Sequence, residues 1–105
     1  MFMHIVLMQL SDQIDDHFFA KVADYAERIR NECNGVVMYH FGENIADRAM
    51  GYNYVTSSAF TDSATHDAYQ ISPAHVGMKT FMAEYIEKII VFDGVMPTGL
   101  GQNHT

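Results

Sequence analysis

The sequence lacks what several functional classes of small protein require. Its 105 residues contain one cysteine, Cys33, so neither an internal disulfide nor a cysteine metal cluster can form. Six basic residues stand against 13 acidic ones, and the net charge of -7 argues against nucleic acid and anionic membrane surfaces as partners. No apolar run reaches the ~18 residues of a membrane span. We therefore expect a soluble, cytoplasmic protein.

Other absent motifs exclude further classes of protein. The N-terminal residues Met1-Phe-Met-His-Ile-Val lack the basic start and cleavage pattern of a signal peptide, and they are typical of a strand instead. No glycine-rich phosphate loop, nucleophile elbow or zinc motif is present. The length allows one domain, which we place at residues 1–95, followed by a glycine- and proline-marked tail over residues 96–105.

What the sequence does contain is regular hydrophobic periodicity. Residues 2–10 form an apolar run of strand length, and apolar residues then recur at steps of three or four up to Cys33. This second pattern predicts an amphipathic helix that Ser11 or Asp12 caps and Gly35 ends. Further strands are predicted over residues 36–41, 52–60 and 88–92, and a second helical segment over residues 63–85. The order β-α-β-β-α-β predicts the ferredoxin-like α+β fold, with both helices on one face of an antiparallel sheet.

The first strand predicts an assembly because it is apolar on both faces. A strand with one face in water would alternate between apolar and polar residues. The set expected to face the helices is His4, Val6 and Met8. The set expected on the opposite face is Met3, Ile5 and Leu7. With 49% hydrophobic residues, we expect a homodimer in which these opposite faces pack sheet against sheet.

The segment from Tyr69 to Gly77 is the most informative part of the chain. Asp62 is predicted to cap a first helix, and the pair Ser72-Pro73 is a start signal that begins a second one. Ser72 is then the N-cap and His75 the third helical residue. A histidine near the positive end of the helix dipole is disfavoured as the imidazolium ion. We therefore expect a neutral His75, which is the state that a general base requires.

His4, Tyr69 and His75 are the candidate site residues. Taken singly, each has an ordinary structural interpretation: a core histidine, a core tyrosine and a helix-start histidine. If the second helical segment lies over the first strand, however, all three line one apolar cavity and suit proton transfer beside a carbonyl. No carboxylate or third histidine has an obvious matching position, so we expect no metal ion and no cofactor.

The remaining histidines and the cysteine are weaker candidates. We expect His17 and His66 on the surface, and His104 in the tail. His40 shares a strand face with Met38 and is a minor candidate for the pocket. Cys33 is expected to be a small buried hydrophobic residue on the stripe of the first helix.

Several short motifs resemble the stress-responsive A/B barrel (Dabb) family. The resemblance covers residues 2–93 and depends on His4, Phe60-Thr-Asp, Asp67-Ala-Tyr69, Pro73-Ala-His75 and Ile89-Ile-Val-Phe-Asp93. It implies the ferredoxin-like unit paired as a dimeric α+β barrel. The Tyr69–Gly77 segment is most similar to a plant polyketide cyclase of this family, which closes a linear chain by intramolecular aldol condensation without a cofactor. That similarity implies a catalytic His75 assisted by Tyr69 and His4, although a further pocket histidine of the cyclase falls on Ser72.

Three functional hypotheses follow. In the first, the protein is a cofactor-free lyase or cyclase for a small apolar carbonyl or polyketide-like compound. His75 then abstracts a proton, Tyr69 orients His75 or the substrate, and His4 hydrogen-bonds the enolate oxygen. In the second it is a cofactor-independent monooxygenase, as related dimeric α+β barrels are. In the third it is a non-enzymatic, stress-associated or ligand-binding dimer. The substrate, the pathway, the openness of the pocket and any assembly beyond a dimer stay open from the sequence.

Overall fold

The computed structural model describes residues 1–97, and these form a four-stranded antiparallel sheet with helices on one face. The strands are β1 (Phe2–Leu10), β2 (Val36–Glu43), β3 (Tyr54–Phe60) and β4 (Ile86–Val95). The helices are α1 (Asp16–Glu32), α2 (Ser63–Gln70) and α3 (Pro73–Met82), and a short 3₁₀ turn over Ala83–Tyr85 follows α3. None of the helices in this described range is long and apolar enough to cross a membrane.

The strand order β2-β3-β1-β4 confirms the predicted ferredoxin-like fold. Strand β1 lies in the middle of the sheet and pairs antiparallel with both β3 and β4. His4 is thereby placed opposite Ser58 on one side and opposite Asp93 on the other. Because strand residues alternate between faces while paired residues share one, Asp93 lies on the same face as His4.

The alternation along β1 also agrees with the prediction. His4, Met8 and Leu10 are buried, and Val6 packs against the core. The other set is half-buried on the face away from the helices; it consists of Met3, Ile5 and Leu7. The core therefore lies between the helices and one face of the sheet.

Helix α1 begins later than predicted. Ser11 and Asp12 do not cap it, because the Ser11 side chain accepts a hydrogen bond from the backbone nitrogen of Gln13 and closes a turn there. The cap is Asp15, whose carboxylate accepts from the backbone nitrogen of Phe18 at 2.9 Å. The predicted apolar stripe is buried along the helix: Phe18, Val22, Ala26 and Ile29. Cys33 ends the helix and is half-buried rather than fully buried.

Two glycines allow neighbouring elements to approach closely. Gly35 has a φ of +76°, the left-handed conformation predicted for the residue after α1, and a Cβ there would lie 2.6 Å from the Thr65 side chain. Gly77 lies where α3 meets α1, and a Cβ there would lie 2.9 Å from the Tyr25 ring. Both positions fix how the second helical segment rests on the rest of the domain.

The predicted break in the second helical segment is present. Asp62 begins α2 with a reciprocal capping box that includes Thr65. Ser72 begins α3, its hydroxyl accepting from the backbone nitrogen of His75 at 3.2 Å, and Pro73 is the first helical residue. These caps agree with the sequence prediction residue by residue.

Strand β4 is longer than the predicted 88–92, since it pairs with β1 from Val95 opposite Phe2 to Ile86 opposite Leu10. Asp93 and Gly94, expected at or beyond the end of the strand, are therefore part of it. The predicted tail over 96–105 extends past the described range, and His104 lies outside the described residues.

Candidate functional site

A cavity of about 240 Å³ lies between β1, β4 and the α2–α3 segment. All three sequence-predicted residues, His4, Tyr69 and His75, line it. Most of the remaining wall is apolar: Val6, Met8, Met78, Met82, Ile89 and Val91. Its volume suits a small ligand, and an apolar wall with few polar groups is typical of small-molecule sites.

His75 has one ring nitrogen occupied and one free. Its Nδ1 lies 3.0 Å from the backbone carbonyl oxygen of Gln70. A carbonyl oxygen only accepts, so Nδ1 carries the hydrogen and Nε2 of the neutral ring keeps its lone pair. Burial lowers the pKa of His75, and the nearby Lys79 acts in the same direction. The neutral ring was expected from the helix dipole, and desolvation by burial favours it as well.

Tyr69 is a hydrogen-bonded phenol fixed inside the core. It is 2% exposed, and its ring centroid lies 4.2 Å from that of His75. Its hydroxyl bonds the hydroxyl of Tyr39 at 3.0 Å. Burial raises the pKa of Tyr69 to about 12 and also raises the pKa of Tyr39, so both phenols stay protonated near neutral pH. When Tyr39 donates to Tyr69, the hydroxyl hydrogen of Tyr69 is left for a ligand.

His4 is paired with a carboxylate. Its Nδ1 lies 2.5 Å from Oδ1 of Asp93, its partner in the β1–β4 register. The Ser58 hydroxyl donates to the carbonyl oxygen of His4 at 2.7 Å and anchors the backbone at this point. The Asp93 bond fixes the orientation of the ring, in the way that a carboxylate orients a catalytic histidine.

His66 is buried, so its predicted surface location is wrong. It is 2% exposed, with its ring stacked on Phe2 at 4.6 Å and 4.5 Å from the ring of His4. Because α2 begins at Ser63, residues 66 and 69 share the face that meets the sheet. Burial lowers the pKa of His66, with nearby His4 as a second cause.

The expectation that no third histidine or carboxylate matches His4 is therefore wrong as well. His66 and Asp93 both lie beside it, one on α2 and the other on β4. For Asp93 there was a weak signal in the sequence, because it shares strand parity with the cavity residues Ile89 and Val91. The burial of His66 was missed because the apolar pattern of α2 is too short to predict which face of the helix is buried.

The other candidates lie outside the cavity. His40 is exposed and does not line it, while its neighbour Tyr39 does, since a register irregularity between Val36 and Met38 precedes them. His17 is exposed, as predicted. Sequence reasoning also missed Gln70, which acts through its backbone carbonyl and therefore has no side-chain signal.

Comparison with known proteins agrees with this architecture. The family model of the stress responsive A/B barrel domain matches residues 2–96. The chain belongs to this family. No curated protein matches the Dabb chain in sequence.

Solved structures share the fold of this Dabb protein at low sequence identity. The hydroxynitrile lyase of Passiflora edulis has a TM-score of 0.78 and 19% identity, over 92% of this chain and 94% of its own. A dimeric ferredoxin-like protein of unknown function from Thermobifida fusca has a TM-score of 0.76 and 17% identity, over 90% of each chain. A Dabb family protein with a ferredoxin-like fold from Mesorhizobium loti has a TM-score of 0.73 and 22% identity, over 91% and 96%. At these identities the likeness shows the fold alone.

Proposed function

We propose that this Dabb protein is a lyase or cyclase that makes or breaks a carbon–carbon bond in a small apolar carbonyl compound, with histidine as acid and base. One observation carries the proposal. The Gln70 carbonyl binds Nδ1 of His75 and leaves Nε2 free, and burial favours the neutral ring, in an apolar cavity that Tyr69 and His4 also line. A neutral imidazole with a fixed tautomer is suited to general-base chemistry.

In the condensation direction, Nε2 of His75 takes a proton from a carbon flanked by carbonyls. The negative charge moves to the enolate oxygen, which accepts hydrogen bonds from Tyr69 and His4. The enolate carbon then attacks a second carbonyl carbon of the same molecule, and the new alkoxide recovers the proton from His75. Asp93 orients His4 and balances positive charge on its ring. Lyase chemistry is the reverse sequence, beginning with removal of a hydroxyl proton.

Two relatives support this reaction class. The Passiflora edulis protein is named a hydroxynitrile lyase, and cleavage of a hydroxynitrile also begins at a hydroxyl next to the carbon–carbon bond that breaks. The Tyr69–Gly77 segment resembles olivetolic acid cyclase, the family's plant polyketide cyclase, in which the matching histidine and tyrosine are catalytic. Both reactions need a base beside a developing or collapsing carbonyl, which is what the His75 geometry offers.

We also propose that the protein is a homodimer through the sheet face away from the helices. Ile90 and Phe92 of β4 lie opposite Leu7 and Ile5 of β1, and both β4 residues are exposed in the single chain. Together with Met3 they form an apolar surface that is unusual for a monomer. Several structures with this fold are described as dimeric, from Thermobifida fusca, Bacteroides fragilis and Jannaschia.

The test of the reaction measures its first step. Benzoylacetone incubated with the protein in D₂O reports proton abstraction as hydrogen–deuterium exchange by NMR, and mandelonitrile reports carbon–carbon cleavage as released benzaldehyde. We expect catalysis of at least one of these, and His75→Ala should lower that rate by ~10²–10⁴-fold while the circular dichroism spectrum stays unchanged.

The matched control is His17→Ala, which removes an exposed histidine that does not line the cavity and should leave the rate unchanged. Catalysis that persists undiminished in His75→Ala would refute the role of His75. Absence of both activities in the wild-type protein would favour the non-enzymatic, ligand-binding alternative.

A further inference from the structure

Three metal-ligating side chains meet where the cavity borders the core. They are His4 on β1, His66 on α2 and Asp93 on β4, and one donor atom from each lies within 4.8 Å of the donor atoms of the other two. Three different elements supply them, so their meeting is a product of the tertiary fold. The acid–base reaction proposed above does not use His66.

The spacing suits a metal ion. Zinc binds histidine nitrogen and carboxylate oxygen at about 2.0–2.2 Å, so tetrahedral donors lie roughly 3.4 Å from one another. Donors already within 4.8 Å reach that separation by small side-chain rotations. Asp93 Oδ1 and His4 Nδ1, now hydrogen-bonded, would separate by about 1 Å to admit the ion.

The donor set selects the kind of ion. Imidazole nitrogen suits zinc and the other late first-row divalent ions, whereas magnesium and calcium prefer oxygen ligands. Two histidines and one carboxylate leave a coordination position open, which is the arrangement of catalytic rather than structural metal sites. His4 and Asp93 both line the cavity, so that open position faces it.

The residues around the three donors hold them in place and leave the site accessible to an ion from the cavity. The His66 ring is packed against Phe2 and Phe60, and the side-chain amide nitrogen of Gln70 lies 3.3 Å from its Nδ1 and 3.4 Å from its Nε2. The aromatic packing limits rotation of the ring. The Asp93 side chain is 43% exposed, so an ion reaches the site from the cavity side without opening the core.

We propose that His4, His66 and Asp93 bind one late first-row divalent metal ion, of the Zn²⁺ type, per chain. The net charge of -7 favours cation binding in general, and the three donor atoms form a specific site for the ion. The proposal does not depend on the reaction proposed above. Because both use the His4 ring, a bound ion and a hydrogen bond from His4 to an enolate are competing uses of that residue.

The test uses the tag-free full chain, stripped with a chelator and titrated with Co²⁺ as a spectroscopic substitute for Zn²⁺. We expect saturable visible absorption bands at one ion per chain, and their loss when Zn²⁺ displaces Co²⁺. His66→Phe keeps an aromatic ring in the core, and it should weaken binding by more than ~100-fold, because losing a ligand exceeds the 10–100-fold effect of losing a supporting contact.

Asp93→Asn is the second variant; it preserves size and also lowers affinity, so the test remains decisive if His66→Phe does not fold. His17→Phe and His40→Phe remove exposed histidines and should bind as the wild type does. Absence of saturable binding at one ion per chain, or wild-type binding by both folded ligand variants, would overturn the proposal. His75→Ala should retain metal binding, so failure of the metal site and failure of the proposed reaction are separable results.

Discussion

At the scale of single residues, the site is defined by which histidine nitrogens are free. In His75 the Gln70 carbonyl occupies Nδ1, and in His4 the Asp93 carboxylate does so. The two rings therefore have different partners, one a neutral backbone oxygen and the other a charged side chain. The His75 ring is thereby left with a free Nε2, and the His4 ring is oriented by a carboxylate.

The protonation of His75 gives a prediction about pH. Burial lowers its pKa below the ordinary value of 6.5, so an NMR titration of its ring should show a midpoint below 6.5. Catalysed exchange should be independent of pH above that midpoint and fall as the pH decreases through it.

The same shift has a consequence for stability. Because the unfolded chain binds this proton more readily than the folded one, the His75 contribution to the free energy of unfolding is present above about pH 6.5 and is lost as the pH falls. His75→Gln should remove this part of the pH dependence. A His75 midpoint at or above 6.5 would contradict both expectations.

Residue-level prediction from sequence succeeded where the signal is local. Ser72 and Pro73 mark a helix start within four residues of His75, and the third helical position follows directly from them. Tyr39 and Asp93 reach the site through strand register, and His66 through helix rotation, which no local pattern specifies. Placing them requires knowing which strand pairs with which.

At the scale of elements, the joint between α2 and α3, at residues 70–73, positions the His75 base. The Ser72 hydroxyl accepts from the His75 backbone nitrogen and donates to the Tyr69 carbonyl oxygen at 2.7 Å. The same short joint contains Gln70, the partner of the His75 ring. The helix break therefore places a backbone acceptor beside a histidine that lies five residues further along the chain.

We expect Ser72→Ala to lower the free energy of unfolding by about 1 kcal/mol and to slow catalysed exchange. The matched variant is Asp62→Ala, which removes the cap of α2 outside the cavity and should lower stability by a similar amount without slowing exchange. Chemical denaturation and the exchange assay together distinguish the two. Equal effects on exchange from both variants would show that the joint has no special role.

The elements themselves were largely predictable. The apolar run of β1 and the stripe of α1 specify their type, since period two and period 3.6 differ clearly over this length. The ends of the helices and strands were less predictable. Helix α1 starts at Asp16 because the turn at Ser11 precedes its cap. Strand β4 extends to Val95 because β1 provides pairing partners up to that residue.

At the scale of the whole molecule, the question is what covers the outer face of the sheet. Several of its side chains are apolar and exposed, among them Ile90 and Phe92. Stable interfaces bury about 800 Å² per partner, which a sheet face of this kind can supply. The apolar character of both faces of β1 was visible in the sequence, but the partner that covers the outer face was not.

The proposed dimer predicts a simple substitution result. Ile90→Glu should convert a dimer into a monomer, because it places a charge in an apolar interface and repeats it through the two-fold symmetry. Val76→Glu is the matched control: Val76 is 49% exposed, against 47% for Ile90, and lies on α3 away from the sheet. Light scattering at micromolar concentration should give a dimer for the control. A monomeric wild-type protein would contradict the assembly.

Strand β4 has a further consequence, for protein engineering. Its odd-numbered residues Ile89, Val91 and Asp93 line the cavity, and the alternating residues Ile90 and Phe92 point to the outer face. Substitutions at the odd-numbered positions therefore reshape the cavity, whereas substitutions at the even-numbered positions change the surface at which two copies would meet. A library designed to accept new ligands should vary Ile89 and Val91 together with Met78 and Met82 on α3, and keep Ile90 and Phe92, so that ligand preference changes without a change in assembly.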